Sequence, residues 1–166
     1  MPNPSRRALL DRYSEGPSVL EAALRNAPEE CRRWRPGPGK WSVHEIVVHC
    51  ADAEMNAAMR IRYLLAESSP TIVGYDQDRW AIALDYHAQP LDEALAAIRA
   101  ARAHTCALIR RLPDEAWSRR GTHTESGPYD GDAWLGIYAR HLEEHAAQID
   151  RTAAAWRAGR ERAASG

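Results

Sequence analysis

The chain is 166 residues long, 45% hydrophobic and 27% charged, with 22 basic side chains against 23 acidic ones and a net charge of −1. That length is one domain's worth and buries a full core unaided, and the charge balance excludes a dedicated nucleic-acid binder or a basic membrane-surface protein. No run free of charge and proline reaches the ~18 apolar residues of a membrane span, so the expectation is one soluble domain over residues 1–166, working without nucleic acid or membrane.

The amino terminus, Met1-Pro2-Asn3-Pro4-Ser5-Arg6-Arg7, lacks the apolar stretch of a signal peptide and runs straight into an amphipathic pattern. Residues 5 to about 27 predict the first helix, bent or split where Gly16-Pro17 opens a fresh turn. A loop of turn formers, Arg35-Pro36-Gly37-Pro38-Gly39-Lys40, follows. Ser42-Val43-His44-Glu45 is the S-x-x-E of a capping box and starts the second helix, whose inward stripe runs Ile46, His49/Cys50, Ala53, Ala57, Ile61 and Leu64 until Ser68-Ser69-Pro70. Thr71 to Gln89 is a connection with one short helix near Asp76–Tyr86. Pro90 opens the third long helix, with Leu91, Leu95, Ile98, Arg102, Thr105, Ile109 and Leu112 facing in. Residues 119–131 read as loop, Asp130 or Asp132 caps the fourth helix, and its inward face is Trp134, Ile137/Tyr138, His141, His145, Gln148/Ile149, Thr152 and Trp156. The tail frays from about residue 158. No β-branched alternation marks a strand, so the prediction is all-α: a four-helix bundle with long crossover connections.

Cys31, Cys50 and Cys106 are an odd, widely spaced set without C-x-x-C, which predicts free thiols in a reduced, cytoplasmic protein. The chemistry lies in three histidines placed where a bundle should carry Leu or Val. His141 and His145 are four apart and share one helix face, and His49 sits in mid-stripe on the second helix. A lone inward His is more often a satisfied core residue. Three of them, two at i and i+4, point to a divalent-metal site with open positions for water or substrate, with three hydrogen-bonded core histidines as the alternative. His141-Leu142-Glu143-Glu144-His145 also matches H-x-x-E-H, the inverted zinc-protease motif, but helical spacing turns Glu143 and Glu144 toward the flanks. Glu45 and Asp52 are one turn and three residues from His49 and are candidates to orient its ring; capping is the blander role for Glu45, and solvated flank the blander one for Asp52 and Glu54. Arg102 either binds Asp76 or a substrate carboxylate, or ties down the connection. His123 in the loop can reach the site and Trp80 can line its mouth. His44, His87 and His104 are surface residues, Trp41 and Trp134 core plugs, and Cys50 packing.

Gly39-Lys40-Trp41-Ser42-Val43-His44-Glu45-Ile46-Val47-Val48-His49-Cys50-Ala51-Asp52-Ala53-Glu54 resembles the signature G-K-W-S-x-x-E-x-x-x-H-x-x-D-x-E of the DinB/YfiT-like superfamily. The resemblance continues through Arg60-Ile61-Arg62, Tyr75-Asp76-Gln77-Asp78-Arg79-Trp80, Arg102, His123 and Gly127, and ends at His141 to Ile149, similar to the family's H-x-x-x-H-x-x-Q-I. It implies a bundle, often a homodimer, that holds one divalent metal ion, zinc or nickel, on three histidines, here His49, His141 and His145. It also implies a small-molecule substrate. Some members transfer or isomerise low-molecular-weight thiols, with a metal-bound thiolate as nucleophile. Others are classed as metal-dependent hydrolases, which activate water. A non-catalytic metal-binding or interaction module is the reading from another class.

Overall fold

The computed structural model describes residues 4–165. Four long helices form: α1 (Pro4–Asn26), α2 (Val43–Ala66), α4 (Leu91–Ile109) and α5 (Gly131–Ala164), with a short α3 (Gln77–Ala83) between the second and third of them. Single 3₁₀ turns lie at Glu29–Cys31 and Asp114–Ser118.

The caps follow the sequence. Ser42 Oγ accepts from Glu45 N at 3.2 Å while Glu45 Oε2 accepts from Ser42 N at 2.8 Å, completing the capping box of α2. Asp76 caps α3 and Asp130 caps α5, each taking the amide three residues on at 2.9 Å.

Side-chain contacts fix the helix directions. Arg6 meets Asp132 and Arg157 meets the Asn26 carbonyl, so α1 and α5 run parallel. His44 meets the Gln89 carbonyl, Arg102 meets Glu54 and Arg62 meets Thr105, so α2 and α4 are parallel too. Arg99 on Glu21 and Arg110 on Ser14 make α1 and α4 antiparallel; Arg60 on Tyr138 does the same for α2 and α5. The connection from α2 to α4, residues 67–90, must therefore return along the bundle, and it does so against α2, where Arg60 holds the Val73 carbonyl and Asp52 the Tyr86 hydroxyl. This is the predicted four-helix bundle, with one full crossover.

Four expectations need correction. The chain has strands: β1 (Thr71–Ile72) pairs parallel with β2 (Arg120–His123), which pairs antiparallel with β3 (Gly127–Asp130). Segments of two and four residues are too short to show a period of two, which is why residues 119–131 read as loop. Gly127, at φ 77°, takes the left-handed conformation that closes this hairpin. Next, α1 is one helix through Pro17. The proline lacks the N–H that the Tyr13 carbonyl would accept from, and that carbonyl takes Arg102 Nη1 at 2.5 Å instead. The tail does not fray at 158: α5 continues to Ala164, an Ala- and Arg-rich stretch in which Arg160 lies 4.9 Å over the Trp156 ring. Finally, His44 is no surface residue; it is 5% exposed, with Nε2 2.8 Å from the Gln89 carbonyl.

The core falls into two apolar clusters. One gathers Leu20, Leu24, Val43, Ile46, Val47, Ile98, Leu142 and Ile149, and the other Tyr13, Ile61, Leu64, Ile109, Trp117, Trp134 and Leu135. Trp134 is the expected plug, fully buried, with its indole N–H on the Ala57 carbonyl at 2.9 Å. Between the clusters the bundle carries a polar layer, and the candidate site belongs to it. No described helix is long and apolar enough to cross a membrane.

Candidate metal centre

α2 and α5 run antiparallel, so His49 from one faces His141 and His145 from the other. The ring centroids are 5.7 Å apart for His49–His141, 4.8 Å for His49–His145 and 4.6 Å for His141–His145. One ligand nitrogen from each ring lies within 4.8 Å of the others. His49 is buried, while His141 and His145 are half-buried and leave the cluster reachable from solvent.

Each imidazole differs in its support. His141 Nδ1 is 3.1 Å from Glu54 Oε1, and His145 Nδ1 is 2.9 Å from Gln148 Oε1. Carboxylate and amide oxygens only accept, so both rings donate from Nδ1, which leaves Nε2 as the nitrogen for a metal. Among the described residues neither nitrogen of His49 has a hydrogen-bond partner, although the residue is 1% exposed. Burial, with His145 and His141 as neighbours, pulls the His49 pKa down to about 2; burial and His141 pull His145 down to about 4. Neutral rings are the form that binds a cation. Three convergent imidazoles, one with no other use for its nitrogens, fit a divalent metal ion.

The carboxylate behind this cluster is Glu54, which the sequence reading left on a solvated flank. It is 0% exposed and binds Arg102 through both oxygens, Oε2 to Nε at 2.5 Å and Oε1 to Nη2 at 2.7 Å. Burial alone would raise its pKa, but the Arg102 charge and the hydrogen bonds from His141 and Arg102 prevail and lower it. Arg102 is accordingly occupied inside the fold and is closed to a substrate carboxylate or Asp76. The signal for Glu54 was available: an arginine on an inward stripe requires a buried partner, and Glu54 ends the H-x-x-D-x-E pattern.

The remaining candidates separate. Asp52 does not reach an imidazole; its Oδ2 accepts from the Tyr86 hydroxyl at 2.6 Å. Glu45 keeps its capping role and adds Arg35 at 2.9 Å and His87 at 3.3 Å. His123 lies in β2 against Tyr129, with Nδ1 accepting from the Glu125 amide at 3.2 Å, outside the three-histidine group. Trp80 stacks on Tyr75 at 4.3 Å in the crossover. Trp41 is not a core plug: half-buried, it lays its ring 4.7 Å from that of His49 and walls two surface clefts. Tyr138, one turn before His141, brings its ring within 5.8 Å of it, and its hydroxyl accepts from Arg60 at 2.8 Å. Glu143 pairs with Arg12 and the Glu144 side chain is 71% exposed, so H-x-x-E-H does not assemble a peptidase site. Cys50 is fully buried packing, its thiol pKa pushed up by that burial.

A model of the DinB superfamily matches residues 12–149. The chain is 36% identical over 111 residues to an Oceanobacillus iheyensis protein named "putative metal-dependent hydrolase", the match covering 67% of this chain and 64% of that one, just under two thirds of its length. It is 32% identical over 133 residues to a Bacillus cereus protein of the same name, covering 80% and 76% of the two chains. YfiT from Bacillus subtilis, described as a probable metal-dependent hydrolase with an unusual four-helix bundle topology, superposes with a TM-score of 0.83 at 25% identity, over 92% of this chain and 87% of that one. By the extent of the family match and the shared bundle, the chain belongs to the DinB superfamily.

Proposed function

We propose that this chain is a metal-dependent hydrolase of small molecules, with His49, His141 and His145 as the ligands of one divalent ion, zinc or nickel. The observation that carries the reading is His49, buried with both ring nitrogens unpartnered beside two imidazoles whose Nε2 atoms are free. Hydrolysis takes precedence over the thiol transfer that the sequence resemblance put first, because the relatives and the structural neighbour carry hydrolase names.

When bound, the ion supplies Lewis acidity and draws the pKa of a coordinated water toward about 7. The chain's own residues supply the rest. Three neutral imidazoles leave the ion's charge uncompensated and so favour an anionic or polarised oxygen as the next partner. Of the carboxylates close in sequence to the histidines, Glu54 is committed to Arg102 and Glu143 to Arg12, and Glu144 is exposed; Asp52, held by Tyr86 three residues from His49, is the candidate to take a proton. Tyr138 accepts from Arg60 and keeps its own hydroxyl proton for a substrate oxygen. Trp41 excludes water from His49, and Tyr75 with Trp80 forms the aromatic wall of the crossover. A homodimer in the cytoplasm remains part of this proposal; the apolar outer stripe of Met55, Met59 and Tyr63 on α2 supports a second copy.

The test is metal content by mass spectrometry on tag-free protein beside a His145→Ala control, followed by a panel of small esters and amides with and without a thiol. About one ion per chain, lost in the variant, with turnover independent of thiol, is the expected result. Turnover that requires a thiol would replace hydrolysis by transfer. No ion after reconstitution with zinc, nickel and manganese would remove the catalytic reading.

A further inference from the structure

A chain of contacts leads from the proline in α1 to the histidines. Pro17 frees the Tyr13 carbonyl, which accepts from Arg102 Nη1 at 2.5 Å. Gly16 leaves the room for this: a Cβ there would stand 3.2 Å from the same nitrogen and from Leu142. The guanidinium lies 3.8 Å over the Tyr13 ring, donates to the Tyr138 carbonyl at 2.8 Å, and holds both oxygens of Glu54. Glu54 Oε1 in turn accepts from His141 Nδ1 at 3.1 Å. Residues from all four long helices thus meet at one buried ion pair, with Arg102 1% and Glu54 0% exposed.

Stability alone does not account for this pair, since well-packed apolar residues in place of a buried ion pair are often as stable or more so. A requirement for a fixed negative charge at one imidazole does account for it. Carboxylates that accept from the outer nitrogen of a metal-bound histidine fix its tautomer and strengthen the inner nitrogen as a donor. His141 alone has such a carboxylate; His145 has the neutral Gln148, and His49 has nothing.

We infer that Arg102 and Glu54 are positioning residues of the metal centre: anchored on the carbonyl that Pro17 releases, they hold His141 as its Nδ1–H tautomer and set the affinity for a divalent cation without touching it. The inference rests on the three-histidine reading of the site.

The experiment compares the full-length wild type with the double variant Glu54→Leu/Arg102→Met, which removes both charges and the acceptor for His141 together and leaves no buried charge unpaired. Nitrogen-15 NMR of chelator-stripped protein reads the His141 tautomer, and competition with a chromophoric chelator reads zinc affinity. The expected result is Nδ1–H in the wild type, a shift toward Nε2–H in the variant, and zinc binding weaker by about 10–100-fold. Thermal melts check the fold. If the double variant does not fold, Glu54→Asp, which keeps a carboxylate for Arg102 and shortens its reach toward His141, is read in the same two ways. An unchanged tautomer with zinc affinity within about threefold of wild type overturns the positioning role. Wild-type protein that binds no zinc at all overturns the reading of the site itself, a result distinct from wild type and variant binding zinc equally well.

Discussion

His49 and Glu54 stand five residues apart on α2, and the bundle buries both, at 1% and 0% exposure. Glu54 has every need met: two bonds from Arg102 and one from His141. His49 has none, only aromatic faces at 4.7 Å from Trp41 and 4.8 Å from His145. A buried polar atom without a partner costs about 1–3 kcal/mol, and this contrast supports the proposal that a metal ion completes His49. Glu54 is completed within the fold and reaches the site through His141, whereas the His49 nitrogens stay open.

The largest effect comes from exchanging the two. Glu54→Ala strips the partner from a buried guanidinium and should destabilise the protein by about 3–5 kcal/mol, read as a lower midpoint in urea at an unchanged slope. His49→Ala loses packing but also removes two unsatisfied nitrogens, so its stability should stay within about 1–2 kcal/mol of wild type. Zinc binding, by contrast, should disappear in His49→Ala. Equal destabilisation by both substitutions, with zinc retained in His49→Ala, would make His49 an ordinary core residue and erase the contrast.

Much of the pair was legible in the sequence, and unevenly so. His49, His141 and His145 stood out because helical spacing puts imidazoles where Leu or Val belongs. The capping box at Ser42 and Glu45 was legible for the same local reason: its geometry is complete within four residues. Glu54 was missed because its partners, Arg102 and His141, are 48 and 87 residues away, and a helical wheel drawn for α2 alone sets it to the side. Trp41 and Tyr138 escaped likewise, since their roles follow from which helix faces them. The three-stranded sheet left no trace because its pairing, Ile72 with His123 and Gly121 with Tyr129, is made between segments too short to carry a period. Interactions closed within a turn or two were readable, and those closed across the bundle were not.

Acid should sharpen the comparison next. Both His49 and His145 have folded pKa values below the ordinary histidine range, about 2 and about 4, so the unfolded chain takes up protons first as pH falls. The stability that neutral rings contribute is present above about pH 6.5 and is lost progressively below it, toward pH 4 and lower. Glu54 is lowered as a carboxylate is by an ion pair, and its contribution holds to more acidic pH before it too declines. Chelator-stripped wild type should therefore melt at falling temperature from pH 7.5 to 5, and a His49→Ala/His145→Ala variant should show a flatter slope over that window. Identical slopes would place the acid sensitivity elsewhere in the molecule.

The smallest expected effect separates the two supporting oxygens. Gln148 serves His145 as Glu54 serves His141, but it is neutral, half-buried, and three residues along the same helix, with no guanidinium behind it. Gln148→Ala should leave urea stability within about 0.5 kcal/mol and weaken zinc binding by about tenfold, or about 1.4 kcal/mol, the lower end of what an outer partner of a metal-bound histidine contributes. Gln148→Glu should move affinity the other way, because it gives His145 the charged acceptor that only His141 now has. Chelator competition on the two variants measures both changes. If Gln148→Glu binds zinc no more tightly than wild type, charge at the outer nitrogen is not what sets affinity here, and the weight placed on Glu54 passes from its charge to its rigidity.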